Sequence, residues 1–304
     1  MARTRYASDK GLTSRMLLTM FLLGLVYVVF VSAFFVFLPK WGVIALVVAA
    51  LFLFAQYFFS GKLALFAMHG REVTPEEAPE LHGVIDRICA MADAPKPRVA
   101  IADTDVPNAF ATGRNQKNAV VCVTTGLLRR LETSELEGVL AHEMAHVAHR
   151  DVSVMTIASF LGVVAGLITR FGLEWGLWGG FNSRDRDNNT GLMLLAVVAV
   201  SALAYAISFL LTRALSRYRE LSADRSAALL TGRPSALASA LTKVSGEIAR
   251  IPTNDLRAAE PFNAFFFAPA FAKGSISNLF STHPSLDKRI EQLNKISSQL
   301  SQGV

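Results

Sequence analysis

The sequence predicts a mainly α integral membrane protein, with four transmembrane helices and a cytoplasmic α+β domain that contains a small β-sheet. Three observations predict this. Four long apolar stretches carry no charged residue. Hydrophobic residues make up 52% of the 304 residues and charged residues only 18%, a balance too apolar for a soluble domain of this length. The basic residues gather at one end of the apolar stretches, as the positive-inside rule requires of a spanning chain.

Leu17 to Leu38 and Trp41 to Phe59 are each long enough to cross about 30 Å of hydrocarbon as a helix. Only Pro39 and Lys40 stand between them, which predicts a helical hairpin. A second span follows the first at once, so the first is not read as a cleaved signal peptide. Val152 to Thr169 is a shorter third candidate with Ser153, Thr156, Ser159, Gly162 and Gly166 along it, small residues that suit close helix packing in lipid; the alternative is a buried helix of a soluble core. Leu192 to Thr212 is a fourth. Arg3, Arg5, Lys10 and Arg15 precede the first span, Lys62 and Arg71 follow the second, and Arg213, Arg217 and Arg219 follow the fourth. That distribution predicts a multi-pass protein of the cell membrane with both termini and both polar regions in the cytoplasm, and Trp41, Trp175 and Trp178 at the outer boundaries. The chain then divides into a membrane hairpin (1–61), a first polar part (62–151), a second membrane hairpin (152–212) and a second polar part (213–304).

The net charge of +6 suits an anionic membrane surface, and no Lys/Arg-rich run points to nucleic acid as a partner; the expected partner is the bilayer. Cys89 and Cys122 lack metal-ligand spacing and read as small buried apolar residues.

In the polar parts, Pro75 to Ala92 predicts a helix with Leu81, Val84, Ile85 and Ile88 on one face. Arg98 to Ala102 predicts a strand. Asn108–Gly113 and Ala119–Val123, around a polar turn, predict a β-hairpin. Ser134 and Glu137 have capping-box spacing and predict a helix start. That helix runs past His149 almost directly into the third apolar stretch, so whatever chemistry it carries lies near the membrane surface. A helix through Glu220 and Asp224 ends at Gly232 and Pro234. Further helices are expected over Ser235–Arg250 and Ser285–Leu300.

His142-Glu143-Met144-Ala145-His146 is the strongest signal in the chain. Four residues apart on a helix, the two imidazoles share a face and can grip one ion, and zinc favours such nitrogens. Glu143 points beside the ion, where it can take a proton from a metal-bound water. The expected cofactor is one Zn2+ per chain, and the expected chemistry is peptide hydrolysis on a zincin-like domain. Two histidines leave zinc one protein ligand short. His149 and Glu220 are the candidates. Glu220 is favoured because two crossings between residues 152 and 212 return the chain to the side it left. Asp224, one turn on, could then accept a hydrogen bond from a ligand imidazole. The alternative for Glu220 and Asp224 is surface pairing with Arg217, Arg219 or Arg225.

The N-terminal hairpin, Asn108-Ala-Phe-Ala-Thr-Gly113, His142-Glu-Met-Ala-His146 followed by Asp151, Glu220-x-x-x-Asp224 and Thr282-His-Pro284 together resemble the HtpX-type membrane zinc endopeptidases, relatives of the CAAX prenyl endopeptidases. The resemblance covers nearly the whole chain. It implies Glu220 as third ligand, and proteolysis of unfolded or damaged membrane proteins on the cytoplasmic side. It also implies Asn108, Ala109, Phe110, Ala111 and Thr112 as a cleft-edge strand that pairs with substrate, and a catalytic His283, with Arg289 near the oxyanion. An N-terminal capping role beside Pro284 is the alternative for His283. Two rival readings remain: a non-catalytic zinc-binding membrane scaffold or adaptor, and a CAAX prenyl-type endopeptidase. The Phe262, Phe265, Phe266, Phe267 and Phe271 cluster reads as packing or as a substrate pocket.

Overall fold

In a computed structural model, residues 10–37, 42–113, 115–175, 188–248 and 283–302 are described. Among them three helices, not four, are long and apolar enough to cross a membrane: Lys10–Ser32, Asp151–Phe171 and Leu195–Thr231. They lie within α1 (Lys10–Phe37), α6 (Asp151–Trp175) and α7 (Asn188–Thr231). The second predicted span coincides with α2 (Gly42–Ala67), whose opening side chains lie outside the described set, as do Trp41, Trp178 and the Phe262–Phe271 cluster. Large apolar side chains such as Leu17, Phe21, Leu51, Phe66, Leu192 and Leu203 stand exposed on α1, α2 and α7, as suits helices that lipid covers.

α1 and α6 both pack on α7. The Tyr27 hydroxyl of α1 enters the backbone ladder of α6: it donates to the Ile157 carbonyl at 2.5 Å and accepts from the Leu161 N–H at 2.8 Å, the two groups that would otherwise bond each other. The predicted small-residue seam is present, and a side chain at Gly166 would press on the Tyr205 ring at 3.1 Å.

The polar domain adds β1 (Gly70–Glu72), α3 (Pro79–Ala92), β2 (Arg98–Ala102), β3 (Ala109–Thr112), β4 (Val120–Thr124), α4 (Thr125–Leu128), α5 (Thr133–Ala148), α8 (Pro234–Ile248) and α9 (Leu286–Ser301). The sheet order is β1-β2-β4-β3; β2 and β4 are parallel and the outer pairs antiparallel. The predicted hairpin is β3–β4, with Ala111 opposite Val121, and its turn needs Gly113 at φ +121°, where a Cβ would lie 2.4 Å from the Asn118 carbonyl. The predicted apolar face of α3, together with Val121, Val139, Leu140, Leu237, Leu241, Leu293 and Ile296, forms one core around α5. Both cysteines are buried free thiols, pushed by burial up to about 11 for Cys89 and about 12 for Cys122.

Two helix starts differ from expectation. The α3 helix begins at Pro79, because a proline lacks the N–H that a first turn cannot satisfy. The capping box of α5 lies two residues earlier than predicted, between Glu132 and Glu135: the Glu135 carboxylate accepts the Glu132 N–H at 2.9 Å. The same carboxylate accepts from Ser239 Oγ at 2.6 Å and Lys243 Nζ at 2.8 Å, which ties α5 to α8. Glu135→Ala is expected to cost about 1–3 kcal/mol, read as a lower melting temperature in detergent. An unchanged melting temperature would mean that apolar packing alone seats α5 on α8.

Candidate metal centre and active site

The α5 helix is buried on nearly every side, so its imidazoles and carboxylate are aimed by the surrounding core and not by solvent. His142 and His146 share a face, with ring centroids 4.7 Å apart. Their Nε2 atoms approach to 3.0 Å. Glu220 on α7 comes to the same point, Oε1 at 3.3 Å from His146 Nε2 and Oε2 at 3.7 Å from His142 Nε2. One donor atom from each residue lies within 4.8 Å of the others, and among the described residues this is the group of His, Cys, Asp or Glu side chains that could hold a metal ion. His149, the rival, lies outside it at the end of α5.

The other imidazole nitrogens are held by carboxylates. His142 Nδ1 faces Asp224 Oδ1 at 2.9 Å. Asp224 receives a two-pronged bond from Arg289, Nε and Nη2 each at 2.7 Å. His146 Nδ1 faces Asp151 Oδ2 at 2.6 Å, and Asp151 in turn pairs with Arg219. Each imidazole is therefore backed by an aspartate, and each aspartate by an arginine. The second chain of contacts depends on Arg150, whose left-handed backbone (φ 57°) ends α5 and turns Asp151, the first residue of α6, back onto His146. Arg219 also donates to the His149 carbonyl at 3.3 Å.

These bonds make the fit to a metal specific. With both Nδ1 atoms facing carboxylates, both Nε2 atoms are left towards one spot beside a third carboxylate, an arrangement that suits a cation there. Burial lowers His142 to about 4, which keeps it neutral, the state that ligates. Burial works against charge on His146 as well, but the hydrogen bond and charge of Glu220 and the charge of Glu143 outweigh it and raise its pKa.

Glu143 is 5% exposed, and burial raises its carboxyl from 4.5 to about 7. Its Oε2 accepts the Ala111 N–H of β3 at 2.9 Å. A raised carboxyl stabilises the fold below its ordinary pKa, and that stability is lost as pH climbs through the folded value. Glu143 therefore contributes a loss of stability in the metal-free protein between about pH 4.5 and 7, of a few kcal/mol, which Glu143→Gln should remove. Melting curves of the metal-free wild type and variant at pH 5 and 8 test this; parallel pH profiles would contradict it.

Of the remaining predicted residues, Ala109, Phe110, Ala111, Thr112 and His283 line one cavity of about 600 Å³ together with His142, His146, Glu220 and Glu143, while Asn108 is fully buried and does not line it. His283 Nδ1 lies 2.9 Å from Glu220 Oε2. β3 is an edge strand, but its residues alternate: the Asn108 N–H donates to Thr124 Oγ1 and the Asn108 carbonyl accepts from the Thr124 N–H, both at 2.9 Å, so the backbone groups of Ala109 and Ala111 face away from β4. The Ala111 N–H is already held by Glu143, which narrows the expected five-residue edge to alternate backbone groups.

The sequence pattern described as Peptidase family M48 matches residues 75–297. The chain belongs to this peptidase family. Protease HtpX homolog 1 of Streptomyces coelicolor is 62% identical over 98% of this chain and 97% of its own length. Protease HtpX homolog of Moorella thermoacetica is 52% identical over 98% of each chain. The crystal structure of S. mikatae Ste24p shares the fold, with a TM-score of 0.52 at 18% identity over 94% of this chain and 67% of that one. The HtpX resemblance is thus borne out, and the chain is a membrane metalloendopeptidase of the M48 family.

Sequence reasoning gave no role to Asp151 and only a surface pairing to Arg219; Arg289, expected near the oxyanion, bonds Asp224 and also brings Nη1 to 3.6 Å from Glu220 Oε2. A signal existed for Arg289: it occupies an apolar position of α9, in line with Leu293 and Ile296. An arginine inside an apolar stripe calls for a buried acid.

Proposed function

We propose that this M48 member binds one zinc ion through His142, His146 and Glu220 and hydrolyses peptide bonds of misfolded or damaged membrane proteins at the cytoplasmic face of the cell membrane. The convergence of two carboxylate-backed imidazoles and a carboxylate beside a separate buried acid carries this reading. Three mixed nitrogen and oxygen donors with a position left for water is the pattern of a catalytic zinc site, not of a closed structural one, and argues against a scaffold. Bound zinc supplies a Lewis acid for the scissile carbonyl and an acidified water.

The chain's residues do the rest. The Ala111 N–H fixes one oxygen of Glu143, leaving the other to take the proton of the attacking water and pass it to the leaving amine. His283 steadies Glu220 and stands on the cavity wall, where it can donate to the developing oxyanion. The outward backbone groups of Ala109 and the Ala111 carbonyl pair with an extended substrate, the Ala111 N–H being held by Glu143. α2 serves as the fourth span, and the basic residues place both termini and the active site in the cytoplasm. Protein stripped by a chelator should recover cleavage of an unfolded membrane substrate with one equivalent of zinc; cleavage that persists in chelator would sink the reading.

Arg219 is expected to act at a distance. Arg219→Ala frees Asp151 and lets His146 turn, so zinc affinity should fall about 10–100-fold. Competition against a calibrated chelator measures it, and unaltered affinity would make Arg219 a packing residue only.

A further inference from the structure

The cavity does not stop at the metal residues. From Asp151 it follows α6 past Thr156 and Ser159 to Gly162 and Val163, and from Glu220 it follows α7 back past Thr212 and Ser208 to Tyr205. At 1.5 Å per residue this is roughly 20 Å along both helices, within the stretches apolar and long enough to cross a membrane. The hydrolysis itself needs a few residues either side of the cut, and nothing in it calls for a channel of this depth.

The lining shows what the channel takes. Its walls combine apolar surface from Val152, Met155, Val163 and Phe209 with a row of hydroxyls. Ser208 is 0% exposed, lines the cavity, and its Oγ has no hydrogen-bond partner among the described residues. The Arg213 Nε, in the same wall, is buried and likewise unpartnered among them, with the guanidinium 4.1 Å over the Phe209 ring. These are donors awaiting acceptors, and a buried donor left unmet costs stability. Thr212 Oγ1 and Ser159 Oγ spend their protons on the Ala158 and Thr156 carbonyls, at 3.2 and 3.3 Å, and so offer lone pairs to a donor. A wall with both spare donors and spare acceptors matches a peptide backbone. A lipid tail has neither. A helical segment has its backbone bonds satisfied internally, so the guest must be unwound.

We infer that the channel between α6 and α7 is a substrate subsite, which receives an unwound stretch of about six residues from a membrane-spanning segment of the substrate, its backbone met by Ser208, Arg213, Ser159 and Thr212. The inference rests on the proteolytic reading above. It names the preferred substrate class: proteins whose apolar segment, next to the cut, is a poor helix former and gives up its internal bonds cheaply, through Gly, Pro, Ser or β-branched residues. An unwound backbone otherwise stays out of hydrocarbon, and the hydroxyl lining removes that penalty only inside the channel.

Two reporters with one cut sequence test this with the zinc-loaded, full-length enzyme. In one the cut abuts a membrane-spanning stretch of low helix propensity; the other is a short soluble peptide. Gly162→Leu fills the channel from a position where an added Cβ meets only Ser208 Cβ, at 3.7 Å. It should lower cleavage of the membrane reporter about tenfold or more, and of the soluble peptide less than about twofold. An equal fall of both, or an unaffected membrane reporter, overturns the inference. So does loss of a co-purified phospholipid in Gly162→Leu with both rates intact, since the channel then holds a lipid. Independently of rate, Ser159→Cys in a Glu143→Gln background should form a disulfide, under mild oxidation, with a cysteine in the membrane stretch of the reporter. Cross-linking only to the soluble side of the cut contradicts the placement. If wild type fails on the soluble peptide too, the proteolytic reading fails first, and that arm alone reveals it.

Discussion

Replacing Glu143 by Gln is expected to lower peptide hydrolysis by about 10²–10⁴-fold, the usual contribution of a positioned acid–base group, while one zinc remains bound. The substitution is nearly isosteric, and the amide oxygen can still accept the Ala111 N–H that now holds Oε2 at 2.9 Å. The donors of the metal site belong to other residues. What is lost is the negative charge and the ability to carry a proton. The effect should therefore fall on kcat far more than on KM, since the edge of β3 and the channel still hold the substrate. The measurement pairs kcat/KM on an unfolded membrane protein with metal content on the same preparation. Activity within threefold of wild type, with zinc retained, would assign the base elsewhere in the cavity. Loss of zinc together with activity would mean that Glu143 helps to hold the ion, and the division of roles along α5 would be wrong.

Local rules carried much of this fold. Apolar length marked three of the described spanning helices, and alternation with a polar turn marked the β3–β4 hairpin. The His142-Glu143-x-x-His146 spacing anticipated the two imidazoles that meet Glu220, because a helix places residues four apart on one face whatever surrounds them. Glu220 needed more: it joins the imidazoles through the return of α6 and α7, and a count of membrane crossings anticipated that. The aspartate–arginine supports were legible only in part. Asp224 is one turn from Glu220 on the same helix, so periodicity reaches it. Asp151 reaches His146 only because Arg150 adopts a left-handed backbone, and nothing in a single sequence marks a non-glycine residue for that conformation. Arg219 lies next to Glu220, so charge pairing suggested a surface role, yet it is 7% exposed between two helices. The α5 start was misplaced because Glu132 caps a helix only by virtue of the return contact from Glu135, a geometry that Ser134 and Glu137 mimic in sequence.

The largest effect on the metal is expected from Glu220→Ala. An outer hydrogen-bond partner of a ligand typically changes affinity about 10–100-fold; removing a ligand carboxylate should exceed that, leaving the purified protein with well under one zinc per chain. Glu220 lies on α7, which shares one apolar core with α5 through the buried Ala227 and Ala228, so the fold should survive. Asp224→Ala separates the two kinds of consequence. It frees His142 Nδ1, which weakens zinc, and it also leaves Arg289, 1% exposed, with a buried charge stripped of its two-pronged partner. Breaking such a pair costs about 3–5 kcal/mol. Glu220→Ala should thus be metal-poor with a melting temperature near that of metal-free wild type, and Asp224→Ala should melt well below it. Zinc content and melting curves on chelator-treated and zinc-loaded samples read both. If Glu220→Ala keeps a full equivalent of zinc at a chelator strength that strips Arg219→Ala, the third ligand is not on α7, and the two chains of contacts onto the imidazoles serve a site assembled without it.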